Sequence, residues 1–134
     1  MPNMEEFNRI TVLVLGKLYE TFPQAIRLKV EDVYDAPDEN DTRNFSYTVE
    51  FLTSEAYIKH QGANDEGLFF IEVCLTMKGL TVLRSTPDSL DATETLGHRF
   101  GGFLKNGAKD VSKELLKAAV NQFMAAAVSG QLHF

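Results

Sequence analysis

The side chains with reactive or metal-binding chemistry are few in this chain, and they are scattered. His60, His98 and His133 fall in different stretches, and no H-E-x-x-H or C-x-x-C spacing surrounds them, so no zinc site is implied. The single cysteine, Cys74, lies in an apolar run that reads as a strand, a setting for a buried thiol rather than a reactive one. Gly97-x4-Gly102 has the outline of a phosphate loop. Phe103-Leu104 follows, however, where that loop needs Lys and then Ser/Thr to reach phosphates and metal, so these glycines read as sites of close helix contact or of a kink. No serine stands in a G-x-S-x-G context that would present a nucleophile. Carboxylates gather from Glu31 to Asp41 (Glu31, Asp32, Asp35, Asp38, Glu39, Asp41), but they miss the D-x-[DN]-x-[DN]-G pattern and its glycine. They read as a solvated acidic loop rather than a cation site. The expectation is a protein that is not an enzyme and holds no metal or cofactor.

One further constellation is basic. Lys105, Lys109, Lys113 and Lys117 recur at i, i+4 beside an apolar helical stripe. The plain reading is a solvated ridge; the sharper one has the ridge meet the acidic 31–41 loop, in the same chain or in a partner subunit, and orient docking. Charge is partitioned accordingly. Residues 1–96 carry 8 Lys/Arg against 17 Asp/Glu and residues 97–134 carry five against two, within a net charge of -6. With 134 residues, 44% of them hydrophobic and 24% charged, the composition is that of one ordinary globular domain. The longest apolar stretches, such as Met124 to Val128, fall far short of a spanning helix and no secretory leader opens the chain, so a soluble, cytoplasmic protein without membrane association is expected.

The elements that must position these groups follow from hydrophobic period. Phe7, Ile10, Val14, Leu18 and Phe22 mark a helix over 4–22, with Asn3 and Glu6 as a capping box and Pro23 as its end. Ile26, Leu28 and Val30 alternate with Arg27 and Lys29 as an edge strand. Phe45, Val49, Leu52 and Ala56 predict a helix over 43–56, capped by Asp41, Thr42 or Asn44. A hairpin follows, with Tyr57-Ile58-Lys59-His60 as its first strand and Gln61 to Gly67 as a long tip. Its second strand should turn Phe69, Ile71, Val73 and Leu75 to one face. Leu75-Thr76-Met77-Lys78-Gly79-Leu80-Thr81-Val82-Leu83 then passes from strand to short helix, with Thr76 as cap, Gly79 allowing close approach and Pro87 beyond it. Leu96, Phe100, Phe103 and Leu104 give another helix ending at Asn106-Gly107. A last helix over about 108–128 has a broad apolar face of Val111, Leu115, Leu116, Val120, Phe123, Met124 and Ala127. These two read as an αα-hairpin.

The order helix, strand, helix, hairpin, with Phe45-x3-Val49-x2-Leu52 leading to Tyr57-Ile58 and on to Leu75-Thr76-x-Lys78-Gly79-x3-Leu83, resembles the winged helix-turn-helix superfamily. It is similar in particular to small uncharacterised bacterial and phage-type members. The resemblance covers roughly residues 4–86 and departs from the family where a short helix should precede the recognition helix. It implies an α+β winged-helix-like domain over 1–87, with residues 88–134 as a C-terminal helical hairpin, part of the same unit or a dimerisation element. Two functions are in view. One is a protein–protein interaction or regulatory module, homodimeric through its C-terminal helices, with Lys105, Lys109, Lys113, Lys117, Leu116, Phe123 and Met124 as contacts. The other, implied by the resemblance, is a DNA-binding regulator using helix 43–56 and wing 57–75 through Arg43, Ser46, Tyr47 and Lys59, against which the acidic Glu50, Glu55, Asp65 and Glu66 weigh.

Overall fold

Pro2–Thr21 forms α1, the helix on which the other layers rest. Ile10, Val12, Leu13, Val14, Leu15 and Leu18 are at most 2% exposed, so this helix is apolar nearly all round and is covered on several sides, by a sheet strand and by three other helices. The helix already includes Pro2, so Asn3 lies within it instead of capping it. The computed structural model describes residues 2–86, 94–105 and 111–131.

After α1 the chain makes strand β1 (Ile26–Lys29), with Leu28 buried and Arg27 and Lys29 exposed, and then a 3-10 turn over Val30–Asp32. That turn is pinned three ways: the Val30 amide donates to Leu68, Asp32 accepts from the Lys29 amide at 2.8 Å, and Lys17 of α1 reaches Asp32 at 2.8 Å. The next helix, α2 (Glu39–Ser54), starts earlier than its apolar stripe predicts. Its cap is Asp38, which accepts from the Asp41 amide at 2.8 Å while Asp41 accepts from the Asp38 amide at 3.2 Å. The acidic stretch is therefore only partly loop. Its last carboxylates satisfy bare N–H groups at a helix amino end, where negative charge is favoured, and Asp41, Thr42 and Asn44 fall inside the helix rather than ahead of it.

Three strands complete an antiparallel four-stranded sheet: β2 (Ile58–Lys59), β3 (Gly62–Ala63) and β4 (Phe69–Leu75). β4 is central, with β1 along one edge and β2 and β3 in line along the other. Because Gly62 and Ala63 pair with Ile71 and Phe70, the hairpin tip is shorter than the turn-rich 61–67 run suggests. Asn64 closes it by accepting from the Leu68 amide at 2.6 Å. The expected face of Phe69, Ile71, Val73 and Leu75 is also broken. The β1 register slips where Ile26 faces Val73 but Leu28 faces Phe70, and Glu72 in that slip has φ 54. An extra residue in one strand moves side chains to the opposite face, so Phe70 is fully buried and Ile71 is exposed.

Thr76 then caps α3 (Met77–Leu83) by accepting from the Gly79 amide at 3.1 Å. A Cβ on Gly79 would stand 2.1 Å from the Tyr57 carbonyl oxygen, so only glycine admits this approach of helix to hairpin. Pro87, Asn106 and Gly107 lie outside the described residues. Helix α4 (Leu96–Lys105) lies along α1, and α5 (Lys113–Gln131) packs on α1, α3 and α4. Helix α5 begins at Lys113 rather than near 108: Val111 and Ser112 are not helical, and the Ser112 hydroxyl accepts from the Leu115 amide at 3.2 Å, as a cap does. One apolar cluster joins Leu96, Phe100, Leu116, Val120 and Phe123 to α1, α2 and the sheet. The described chain is thus an α+β arrangement of five helices and a small antiparallel sheet, and none of these helices is long and apolar enough to cross a membrane.

Candidate functional site

Two surfaces hold the residues of interest. The first is an open cleft of about 670 Å³ at the amino end of α2, where Arg43, Ser46 and Tyr47 face the hairpin tip at Asp65, Glu66 and Gly67. Arg43 and Tyr47 are exposed and sit one turn apart, as i, i+4 neighbours must, with Ser46 between them and close beneath Gly67. Asp38 and Glu39 form the adjoining wall, so one guanidinium shares the cleft with four carboxylates. Lys59 is not part of it. It stands on β2 opposite Cys74, beyond the far end of α2, so the four suggested DNA-contacting residues divide into three and one.

Elsewhere His60 and Cys74 are structurally employed. The Gly62 amide donates to His60 Nδ1 at 3.0 Å, which assigns the ring proton to Nε2 and makes that nitrogen the donor to Glu50 at 2.7 Å. The ring also packs edge-on to Phe70, at 4.9 Å between centroids. Cys74 is buried with its Sγ 3.6 Å from the Pro23 carbonyl oxygen. His98 is exposed on α4, and His133 lies outside the described residues. Among the described residues no three potential metal ligands come together. The Tyr34 hydroxyl donates to Glu6 at 2.6 Å, tying the segment after the 3-10 turn to α1. Burial first, then the bond to Glu6 and its negative charge, push that phenol well above the usual tyrosine range. Tyr57 is raised as well, by burial and then by Glu55.

The second surface is a groove of about 270 Å³ where α1, α2 and α5 meet. Its walls are aromatic and aliphatic: Phe51 stands edge-on to Phe7 at 5.7 Å, Tyr57 edge-on to Phe123 at 5.0 Å, and Met124 and Val128 complete the α5 side. Thr11, 1% exposed, is part of the lining, and its hydroxyl has no hydrogen-bond partner among the described residues. Large apolar side chains remain open around it, with Met4, Phe51, Met124 and Val128 between 45% and 57% exposed. Exposed apolar side chains grouped within a polar rim have the composition that an interaction surface needs. Here that rim is formed by Glu5, Asn8, Lys113 and Lys117 in the cleft next to Met4 and Met124.

The residues expected to contact a partner separate on the same geometry. Met124 is on the groove, and Lys113 and Lys117 are exposed beside it, whereas Leu116 and Phe123, each 4% exposed, belong to the chain's own core, Phe123 showing only an edge at the groove. The basic ridge is not one helix face. Lys105 ends α4, Lys109 lies outside the described residues, and the non-helical residues before Lys113 break the spacing. Lys113 pairs with Glu5 of α1 at 3.4 Å, and Asp32 of the acidic stretch pairs with Lys17, so neither makes the ridge-to-loop contact within the chain. Phe7, Thr11, Phe51 and Val128 escaped the sequence reading as a surface. The adjacent pair Phe51-Leu52 was the available signal, since on a helix covered from one side only one of two neighbours can face the core.

Comparisons with protein-family models, curated proteins and solved structures return no match for this chain.

Proposed function

We propose that this chain is a non-enzymatic protein-interaction module on a winged-helix-like frame, self-associating through its C-terminal helices. The observation that carries the reading is the grouping of exposed Met4, Phe51, Met124 and Val128 around the α1–α2–α5 groove. The frame is supported by the order α1, β1, α2, β2/β3, β4, α3 and by β4 lying between the first strand and the hairpin partner. A single 3-10 turn stands where such a frame has a second helix. Light scattering across a concentration series tests the association. The expected result is a mass above that of one 15.0 kDa chain, rising with concentration. A strict monomer at high concentration would remove self-association.

One observation favours a second reading, DNA binding: Arg43, Ser46 and Tyr47 do share a cleft at the amino end of α2. Its four carboxylates oppose phosphate, the source of most non-specific affinity. This reading expects duplex binding that falls steeply with salt and weakens in Arg43→Ala. No binding to mixed fragments at low salt would dismiss it.

A further inference from the structure

Thr11 sets the α1–α2–α5 groove apart from the other hollows of the chain. Helical threonines elsewhere satisfy their own hydroxyls: Thr21, Thr42, Thr53 and Thr81 each donate to the carbonyl four residues earlier, between 2.8 and 3.1 Å. Thr11, 1% exposed and part of the groove lining, makes no such bond and has no partner among the described residues. An unmade bond of a buried hydroxyl is costly, and a bound water needs two or more polar partners to relieve it. The groove is poor in them. Its other polar side chains are Glu55, which is exposed, and half-buried Tyr57, while Phe7, Phe51 and Phe123 supply apolar wall.

We propose that this groove binds a small neutral aromatic molecule carrying one hydroxyl, a simple phenol in kind, whose hydroxyl pairs with that of Thr11. An apolar cavity of about 150 Å³ admits benzene, so one of about 270 Å³ admits a single ring with a short substituent and falls short of drug-sized pockets. The walls suit a ring. Phe51 stands edge-on to Phe7 and Tyr57 edge-on to Phe123, and a further ring beside these pairs adds edge-to-face contacts that an aliphatic molecule lacks. Charge favours a neutral occupant. Glu55 is offset by Lys78, whose ammonium lies 4.5 Å over the Tyr57 ring and donates to the Glu55 carbonyl at 3.0 Å. A phenolic hydroxyl both donates and accepts, as threonine's does, so the pair leaves neither group bare. Phe51 and Met124, each about half exposed, flank the opening, and the unbranched methionine turns aside to admit the ring. The site is independent of self-association, which the light-scattering series reads separately.

Binding of para-cresol to the full chain, followed by NMR, tests the proposal, with toluene as the ring without a hydroxyl and para-toluate as its charged counterpart. The expected result is saturable para-cresol binding with a dissociation constant on the order of 1 mM, and weaker binding of para-toluate. In the unmodified chain, intermolecular NOEs from the cresol ring should reach the methyl groups of Thr11 and Val120. Thr11→Val keeps the shape of the side chain and removes the hydroxyl. It should lower the ratio of para-cresol to toluene affinity at least about fivefold, because the ligand hydroxyl then loses its partner. The ratio is the readout, since a change in packing alone moves both affinities together. No saturation of the unmodified chain by roughly 10 mM, NOEs confined to residues outside the groove, or a ratio unchanged in Thr11→Val would each overturn the site. Para-toluate binding tighter than para-cresol would overturn its preference for a neutral ligand. A strictly monomeric chain that binds para-cresol in this way would uphold the site and remove only self-association.

Discussion

Helices α4 and α5 both rest on α1, and they meet it in opposite ways. Along α4, glycines bring backbone to backbone: a Cβ on Gly16 of α1 would stand 2.7 Å from the Phe100 carbonyl oxygen, and one on Gly97 would enter the Tyr19 ring at 2.4 Å. Beside that seam is a hollow edged by Glu20, His98 and Lys105, groups at ease in water. Along α5 the buried face mixes Ala119 and Ala127 with Leu116, Val120 and Phe123, and Phe123 reaches past α1 to Tyr57 and to Phe100 of α4. No glycine contact among the described residues draws this helix in, and the groove of Phe7, Phe51, Met124 and Val128 remains along its edge. A seam made by glycine is closed to any third body; a seam made by aromatic rings is stable yet leaves apolar surface at its margin.

Mutations can break this contrast, and the largest effect belongs to the α5 core. Phe123→Ala should cost about 3–5 kcal/mol of unfolding free energy by opening a cavity among Tyr57, Phe100 and Val120. Denaturant midpoints would show it, and a loss below about 1 kcal/mol would mean that α5 is not packed as described. Gly16→Ala should cost about 1–3 kcal/mol, because its methyl meets backbone that cannot step aside. A neutral Gly16→Ala would show the α4 seam to be looser than its geometry.

The third side of α1 is held by the Tyr34–Glu6 hydrogen bond. The fold keeps this phenol protonated above its usual range, chiefly through burial and next through Glu6, while the unfolded chain ionises it near pH 10. The folded state then binds more protons, so the contribution is intact below about pH 10 and is lost as pH rises through and beyond that point. Tyr34→Phe should cost about 1 kcal/mol at neutral pH and flatten the alkaline loss, as urea midpoints at about pH 8 and about pH 11 would reveal. An alkaline slope unchanged by Tyr34→Phe would assign the titration elsewhere. An effect of similar size and opposite sign should follow Thr11→Val. Removing a buried hydroxyl that has no partner among the described residues should stabilise the chain by about 1 kcal/mol. Destabilisation would mean that the hydroxyl is bonded in solution.

The same contrast explains what could be read from the amino acids. Stripes such as Phe45, Val49 and Leu52, or Leu116, Val120 and Phe123, report which side of a helix is buried, and all six are buried. The Thr76 cap and the tight approach at Gly79 were legible too, because each depends on a few adjacent residues. What failed depended on interruptions. The reciprocal Asp38–Asp41 cap turned an apparent acidic loop into a helix start, Glu72 reversed the faces of β4, and Ser112 moved the start of α5 and dissolved the lysine row. The groove was hidden for another reason: period separates core from surface but does not say where three helices will stand apart.

The smallest predicted effect discriminates best. Met124 follows Phe123 in sequence, yet the helical turn of one residue carries it from the core to the margin of the groove, from 4% to 45% exposure. Met124→Ser should therefore change unfolding free energy by no more than about 0.5 kcal/mol, as an exposed position does. In the same sample it should weaken self-association measurably in sedimentation, because an apolar flank of the groove is lost. A Met124→Ser chain as damaged as Phe123→Ala would mean that the groove is closed in solution and that α5 meets α1 as tightly as α4 does. Unchanged stability with unchanged association would leave the surface open but assign the contact to another part of α5.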